Sequence, residues 1–201
     1  MISLREVSKN IKGKQVLDNI SVEFEDGKMY LLKGHNGCGK TMLLRMLCGL
    51  IKPTSGCIEK EEDYTYGVMI ENPQFMENET GYYNLKYLAS IQKKIGKQEI
   101  EEIMKTLNLY DVRNKKVKSY SLGMKQRLGI VQALMEDPKI ILLDEPFNAL
   151  DEQNYNAVFQ RLKVERNRGK MIVIAAHSLD SKRINEFDSI IQMDNGKIPS
   201  L

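Results

Sequence analysis

Residues 34–41 form a glycine-rich loop whose residue types and spacing suit it to hold phosphate groups. The segment reads Gly-His-Asn-Gly-Cys-Gly-Lys-Thr and matches the pattern G-x-x-x-x-G-K-[ST] at every position. Glycines let successive backbone N–H groups point inward at phosphate oxygens, and a following helix adds its positive N-terminal end. Lys40 is predicted to reach the β- and γ-phosphates of a nucleotide, and the Thr41 hydroxyl to bind Mg²⁺. The candidate nucleotide-binding residues are Gly34, His35, Asn36, Gly37, Cys38, Gly39, Lys40 and Thr41.

Two carboxylates end an apolar run later in the chain. Residues 140–143 are aliphatic, and Asp144 and Glu145 follow them directly. The carboxyl ends of strands are where open α/β sheets bind ligands. Asp144 is suited to hold Mg²⁺, and Glu145 to polarise an attacking water. Taken alone, an acidic strand end in solvent explains the pair equally well, but the phosphate loop favours the catalytic interpretation.

Two further features are ambiguous on local grounds. Residues 120–127 read Tyr-Ser-Leu-Gly-Met-Lys-Gln-Arg and indicate a helix that begins after the N-cap Ser121. A helix N-terminus can receive a phosphate, but an ordinary cap is the better interpretation from local physics. His177 follows the apolar run 171–176, and a lone histidine after a strand is usually structural.

The elements that must position these residues follow from apolar patterning. The N-terminal segment alternates weakly and indicates short strands, interrupted by Gly13 and by the Asp-Gly pair at 26–27. Apolar runs follow at 140–143, 171–176 and 189–193, and such runs suit parallel strands that are buried on both faces. The pattern therefore predicts an α/β sheet domain.

The middle of the chain has a different character. From about residue 72 to residue 135 the pattern predicts an almost entirely helical segment. Its three expected apolar faces contain Leu88, Ile91 and Ile95; Ile100, Ile103, Met104 and Leu107; and Met124, Leu128, Val131 and Met135. We therefore predict one domain over residues 1–201, with a core at 1–71 and 136–201 and a helical subdomain at 72–135.

Composition excludes several classes of protein. The 201 residues carry a net charge of +3 with 28% charged residues, and the basic residues are scattered, so no nucleic-acid footprint is indicated. No apolar run approaches the roughly 18–20 residues that span a bilayer, and the first residues do not resemble a signal peptide. Three cysteines suggest reduced thiols and a cytoplasmic protein. Cys38 could be a reactive thiolate near a helix N-terminus or, equally well, a buried inert thiol.

The order of the motifs resembles that of the ATP-binding-cassette (ABC) ATPases. The phosphate loop, Ser-x-Gly-x-x-Gln-Arg, apolar-Asp-Glu-Pro, Asn-Ala-Leu-Asp at 148–151 and finally His177 follow one another in the family's order. Residues 120–130 are most similar to ATPase subunits of bacterial drug, bacitracin and lantibiotic exporters. The resemblance covers the chain to about Lys197. It implies a P-loop NTPase sheet core with an inserted helical subdomain and an N-terminal antiparallel β portion, with ATP and Mg²⁺ as cofactors.

The family arrangement implies a role for each motif. Two cassettes sandwich two ATP molecules head to tail, so that the phosphate loop of one faces the signature turn of the other. The signature turn consists here of Ser121, Leu122, Gly123 and Met124. The implied catalytic residues are Glu145, His177 and Lys40, with His177 contacting the γ-phosphate. The interface loop that crosses the dimer consists of Asn148, Ala149, Leu150 and Asp151.

The chain departs from the family pattern at several positions. Leu122 and Met124 replace a glycine and a glutamine of the usual signature. Glu71 stands where the family has a glutamine, and its carboxylate could still bind Mg²⁺ together with Thr41 and Asp144. An aliphatic side chain, Ile11, falls near the position of the aromatic residue that stacks on adenine, so stacking on the base is expected to be weaker, and the sequence leaves base selectivity open.

The resemblance implies the ATP-hydrolysing subunit of an exporter. Such a chain would form a homodimer with ATP and act through a separate integral membrane subunit, at the inner face of the cell membrane and without direct nucleic-acid contact. Residues 71–88 are the expected docking region, with Tyr82, Tyr83 and Tyr87 as candidates.

A single-cassette ATPase that acts as an assembly scaffold, or on a ribosome or nucleic-acid complex, is the alternative. Ribosome-associated relatives usually carry two cassettes, and chromosome ATPases insert a long coiled coil between the nucleotide motifs. The sequence has neither feature.

Overall fold

The computed structural model describes residues 1–177, 179 and 181–199, which form two β-sheets and six α-helices. The strands are β1 (Ile2–Ile11), β2 (Lys14–Phe24), β3 (Met29–Lys33), β4 (Ser55–Lys60), β5 (Tyr66–Met69), β6 (Ile140–Asp144), β7 (Met171–Ala176) and β8 (Ser189–Gln192). The helices are α1 (Lys40–Leu47), α2 (Gly81–Gln92), α3 (Lys97–Thr106), α4 (Leu122–Leu134), α5 (Glu152–Asn167) and α6 (Ser181–Ile184). This arrangement confirms the α/β fold with an antiparallel N-terminal portion.

The N-terminal sheet is antiparallel, in the order β2-β1-β4. Its first two strands have 10 and 11 residues, so the prediction of short strands is wrong in their length. The register of β1 against β2 shifts three times, and Glu6 and Asn19 have φ angles of 52° and 53°. Bulges of this kind let a long ribbon bend and twist, and they break the alternation that marks a strand in the sequence.

The central sheet is parallel, in the order β5-β6-β7-β3-β8. Alternate residues of its inner strands enter two different apolar clusters. Leu31 packs on the side of α4 and α5, whereas Leu32 packs on the side of α1 and the antiparallel sheet. Burial on both faces explains why β6 and β7 have uninterrupted apolar sequences. Because β3, β6 and β7 pair in parallel, their carboxyl ends lie at the same edge of the sheet.

The segment 72–135 is less helical than its sequence predicts. Residues 72–80 and 107–121 lie outside α-helices. The second stretch contains two short 3-10 helices, at Tyr110–Val112 and Val117–Ser119. These stretches hydrogen-bond to each other, as in the bond from the Val117 N–H to the carbonyl of Glu79. Such long-range pairing satisfies the backbone without helical periodicity, so the pattern could not reveal it.

The apolar faces of α3 and α4 are broadly as expected, but that of α2 is not. Ile91 is 68% exposed, and Leu85 and Ala89 are buried instead. The second half of α4 shares an apolar cluster with Met69 of β5 and Leu143 of β6. The division between a core and a helical subdomain at residue 135 stays a prediction. Within the described residues, no helix is long and apolar enough to cross a membrane.

Candidate nucleotide site

The phosphate loop connects the carboxyl end of β3 to the first residue of α1. Gly39 has a φ of +108°, and a Cβ there would lie 2.9 Å from the side chain of Leu17 and 3.1 Å from the carbonyl oxygen of Val16. Only glycine suits this position, because the conformation is left-handed and the antiparallel sheet is close. The N-terminal end of α1 therefore opens directly into the loop, where its free N–H groups can bind an anion.

Lys40 is buried at the base of this loop. Its ammonium group donates hydrogen bonds to the carbonyl oxygens of Gly34, at 2.7 Å, and His35, at 3.2 Å. Among the described residues, the carboxylate oxygen that faces Lys40 Nζ is Glu145 Oε1, 3.9 Å away. The positive charge is therefore held by neutral groups of its own loop and remains available to a phosphate.

Thr41 and Asp144 meet at the same edge of the sheet although 103 residues separate them. The Thr41 hydroxyl donates a 2.7 Å hydrogen bond to Asp144 Oδ2. Asp144 is the last residue of β6 and is only 7% exposed. A hydroxyl and a carboxylate are hard oxygen donors of the kind that Mg²⁺ prefers, so the pair fits the predicted ion.

Glu145 lies between the loop and His177. Its backbone has a φ of +49°, which is unusual for a residue other than glycine. Its Oε2 lies 3.0 Å from Nδ1 of His177, which follows β7 and is largely exposed. Its Oε1 is buried and has no hydrogen-bond partner among the described residues. The structure thus brings the three predicted catalytic residues together and leaves one carboxylate oxygen able to accept a proton.

Glu71, the third predicted Mg²⁺ ligand, is placed differently. It is exposed, has a φ of +63°, and its carboxylate pairs with Arg45 of α1. The contacts of the described residues join it neither to Thr41 nor to Asp144. The sequence pattern could not anticipate this pair, because α1 and the residue after β5 become neighbours only in the folded chain.

The signature turn caps α4 and contacts the interface loop of the same chain. Ser121 Oγ accepts a 3.2 Å hydrogen bond from the Met124 N–H, as expected for an N-cap. A Cβ on Gly123 would lie 2.5 Å from the carbonyl oxygen of Ala149, so backbone meets backbone here. Leu122 is 63% exposed. The turn therefore presents its outer surface to solvent and its inner surface to the interface loop.

The interface loop is held by α5. Ala149 has a φ of +60°, and Asp151 is the N-cap of α5, accepting a 2.8 Å bond from the Asn154 N–H. The backbone N–H and side-chain amide of Asn154 hold the pKa of Asp151 below its usual value. Leu150 is partly buried and packs against the apolar core, whereas Asn148 is exposed.

The remaining loop residues differ in accessibility. His35, Asn36 and Gly37 are exposed, and His35 Nε2 lies 3.1 Å from Asp194 Oδ1 beyond the end of β8. Cys38 is fully buried in an apolar cluster. The alternative of an inert structural thiol therefore describes Cys38 better than that of a reactive thiolate.

The sequence interpretation gave no individual role to several residues of the site. Val16 and Met42 line the cleft beside the phosphate loop, and Ile11 is not among its lining residues. Gln126 is buried and donates a 2.8 Å bond to the backbone carbonyl of Glu145. Arg127 is buried and donates to the carbonyl of Leu107 at 2.7 Å. The place of Gln126 and Arg127 in the motif Ser-x-Gly-x-x-Gln-Arg was the available signal.

The parallel sheet, the phosphate loop at its carboxyl edge and the adjoining Asp-Glu pair define a P-loop nucleotide hydrolase. The model of the ABC transporter family matches residues 17–148. The uncharacterized ABC transporter ATP-binding protein YybJ of Bacillus subtilis (strain 168) is 41% identical, over 98% of this chain and 94% of its own length. The bacitracin transport ATP-binding protein BcrA of Enterococcus faecalis is 35% identical, over 89% of this chain and 62% of its own length.

Solved structures give the same result. The dimeric structure of MJ0796, a bacterial ABC transporter cassette, superimposes with a TM-score of 0.87 and 25% identity, covering 100% of this chain and 97% of that one. The same cassette is known as a dimer in a post-hydrolysis state bound to ADP and Pi. The chain belongs to the ABC transporter family, as an ATP-binding subunit and ATP hydrolase.

Proposed function

We propose that this chain forms an ATP-dependent head-to-tail homodimer that drives export through a separate membrane subunit. The observation that carries the proposal is the placement of the signature turn. Its described contacts within the chain run to the interface loop, not to the chain's own phosphate loop. An exposed, capped helix start that has no described contact with its own phosphate loop is available to the nucleotide of a second chain.

In the proposed hydrolysis, each residue of the site acts on an atom within its reach. Glu145 Oε1 accepts a hydrogen bond from the attacking water and orients it, while His177 braces the other carboxylate oxygen and faces the γ-phosphate. Lys40 and the loop amides neutralise charge that develops on the phosphate. Thr41 and Asp144 would hold a Mg²⁺ ion, which would supply additional positive charge to the phosphates.

The exposed side of α2 is the proposed docking surface for a membrane subunit. Tyr83, Tyr87 and Ile91 recur at intervals of four residues and are 44%, 52% and 68% exposed. Tyr82, in contrast, is partly buried against the core and takes no part in this surface. Aromatic residues at the centre of an interface contribute much of its binding energy. BcrA, a relative, is named as a bacitracin transport ATP-binding protein, which supports a role in transport.

Two complementary lesions test the head-to-tail arrangement. Ser121→Arg should leave ATP binding in the chain's own loop intact but prevent ATP-dependent dimerisation, because the arginine side chain would occupy the space of the partner's γ-phosphate. Lys40→Ala should weaken nucleotide binding itself. A heterodimer of the two variants carries both lesions in one composite site and leaves the other site intact.

Association is measured by light scattering in a Glu145→Gln background, where slow hydrolysis preserves the complex. Mixing the two variants should restore part of the ATP-dependent association that each lacks alone. Ser119→Arg is the matched control, since Ser119 is also exposed but lies before the turn. Dimerisation of Ser121→Arg alone at the level of its parent would show that the head-to-tail assignment is wrong.

A further inference from the structure

The backbone of Glu145 is held in a strained conformation by three hydrogen bonds. Its N–H donates to the carbonyl of Ala175 at 2.8 Å. Its carbonyl accepts from Gln126 Nε2 at 2.8 Å and from the Asn148 N–H at 3.3 Å. A residue with a side chain stays at a φ of +49° only where its surroundings fix it. The bond from Gln126 is the one of these three that a side chain supplies.

Gln126 belongs to the helix that begins with the signature turn. It lies five residues after Ser121 and is only 5% exposed. The first turn of the same helix also contacts the chain at Ala149, through Gly123. Helix α4 therefore contacts this segment at two points, the carbonyl of Glu145 and that of Ala149, which lie on either side of Asn148.

We propose that Gln126 is a positioning residue, which aims the Glu145 carboxylate through the backbone carbonyl and couples that carboxylate to the signature turn. The coupling rests on the proposed head-to-tail dimer: a movement of α4 on contact with the partner's nucleotide is transmitted to the water-orienting group of its own chain. The positioning of Glu145 by Gln126 needs only the single chain.

The chemistry of this contact requires a neutral donor. The Gln126 amide donates one N–H to the carbonyl without bringing a charge into a buried place. A side chain of the same length without a donor leaves that carbonyl bonded by the Asn148 N–H alone and lets the backbone relax. Gln126 has no described bond to the phosphate loop, so this change should affect the chemical step and not nucleotide binding.

The first experiment compares Gln126→Met with Gln132→Met, the same substitution six residues later on α4. We expect kcat for ATP hydrolysis to fall about tenfold in Gln126→Met, since one oriented hydrogen bond and the backbone conformation it maintains are lost. The KM for ATP, and the Kd of a fluorescent ATP analogue measured in EDTA, should change less than about twofold. Gln132→Met should retain the kcat of its parent.

A second variant supplies a readout that loss of packing would not move. In Gln126→Glu, the protonated acid can donate its O–H to the Glu145 carbonyl, whereas the ionised carboxylate cannot. Burial raises the pKa of such a carboxyl group, so protonation should fall within the working range of the enzyme. The kcat of Gln126→Glu divided by that of the parent should therefore rise as the pH falls from 8 to 6. The same ratio for Gln126→Met should stay flat.

The outcomes separate this inference from the proposed dimer. A parental kcat in Gln126→Met, or a flat ratio in Gln126→Glu across this pH range, would overturn the positioning role. If Gln126→Met does not fold, as judged by circular dichroism, the Gln126→Glu ratio decides alone, because its change between pH 8 and pH 6 is followed within one folded variant. If the Gln126→Glu ratio still rises on acidification but the chain forms no ATP-dependent dimer, only the coupling to the signature turn is overturned.

Discussion

Buried charged side chains lie at both edges of the parallel sheet, but the two edges differ in how these charges are paired. At the amino edge, Lys170 precedes β7 and donates to Asp137 Oδ1 at 2.5 Å, and it also pairs with Glu165. Glu165 is 0% exposed and pairs in addition with Arg161 and Arg168. We call these five residues the amino-edge cluster. Every charged group in it has a direct partner of opposite charge.

At the carboxyl edge, Lys40 and Glu145 lie close together but make no direct hydrogen bond. Lys40 Nζ and Glu145 Oε1 are 3.9 Å from each other, beyond hydrogen-bond distance, and Lys40 bonds to neutral carbonyls instead. A charge that is already paired within the protein can do little for a ligand, and removal of its buried partner destabilises the fold. A charge held without such a partner is available to stabilise a ligand or a transition state. The amino edge therefore serves the fold, and the carboxyl edge serves the reaction.

The largest effect that would test this comparison is expected from Glu145→Gln. Removal of the general base should slow ATP hydrolysis by between about 10² and 10⁴, while ATP still binds to the intact loop. Unfolding by urea should change little, since Glu145 Oε1 makes no described hydrogen bond and glutamine retains an oxygen that can replace Oε2 beside His177. Single-turnover kinetics together with an equilibrium binding assay separates the two steps. Full turnover in this variant would remove Glu145 from the catalytic role.

The reciprocal change is Glu165→Ala at the amino edge. It leaves Arg161 and Lys170 without their buried carboxylate, and removal of one partner from a buried ion pair costs on the order of 3 kcal/mol of unfolding free energy. Urea titration monitored by circular dichroism measures this loss. At temperatures where the variant is folded, its Kd for ATP should equal that of the parent. If Glu165→Ala weakened ATP binding but kept the stability of the parent, the assignment of the amino edge to fold stability would be wrong.

Asp137→Asn should give the smallest effect and a definite pH dependence. The hydrogen bond from Lys170 holds the pKa of Asp137 below its usual value. A carboxyl group with a lowered folded-state pKa stabilises the fold above its unfolded pKa, near 4, and loses that contribution as the pH falls through the folded value. Because the side chain is 63% exposed, the loss at pH 7 should be only about 0.5 kcal/mol.

Thermal unfolding at several pH values measures this dependence. The difference in Tm between the parent and Asp137→Asn should be present at pH 7 and should shrink below about pH 4. A difference that grows on acidification would mean that Asp137 is stabilised by something other than its ionised contact with Lys170.

The sequence by itself was sufficient to predict the phosphate loop, the Asp144–Glu145 pair at a strand end and the buried parallel strands. Each of these depends on short-range chemistry or on local apolar patterning, which is readable without knowledge of distant neighbours. The order of the motifs added the family, and the comparisons confirm it. The N-cap role of Ser121 was also readable, because a cap involves residues only three positions apart.

Only the tertiary structure decided which distant residues meet. The pairing of Glu71 with Arg45, the exposure of Ile91 and the bond from Gln126 to the Glu145 carbonyl all depend on how helices pack against the sheet. The irregular backbone of residues 107–121 is stabilised in part by hydrogen bonds to residues 77–81, and a bond across such a separation leaves no period in the sequence. Local chemistry specified the reactive groups, whereas long-range packing determined their partners and their orientation.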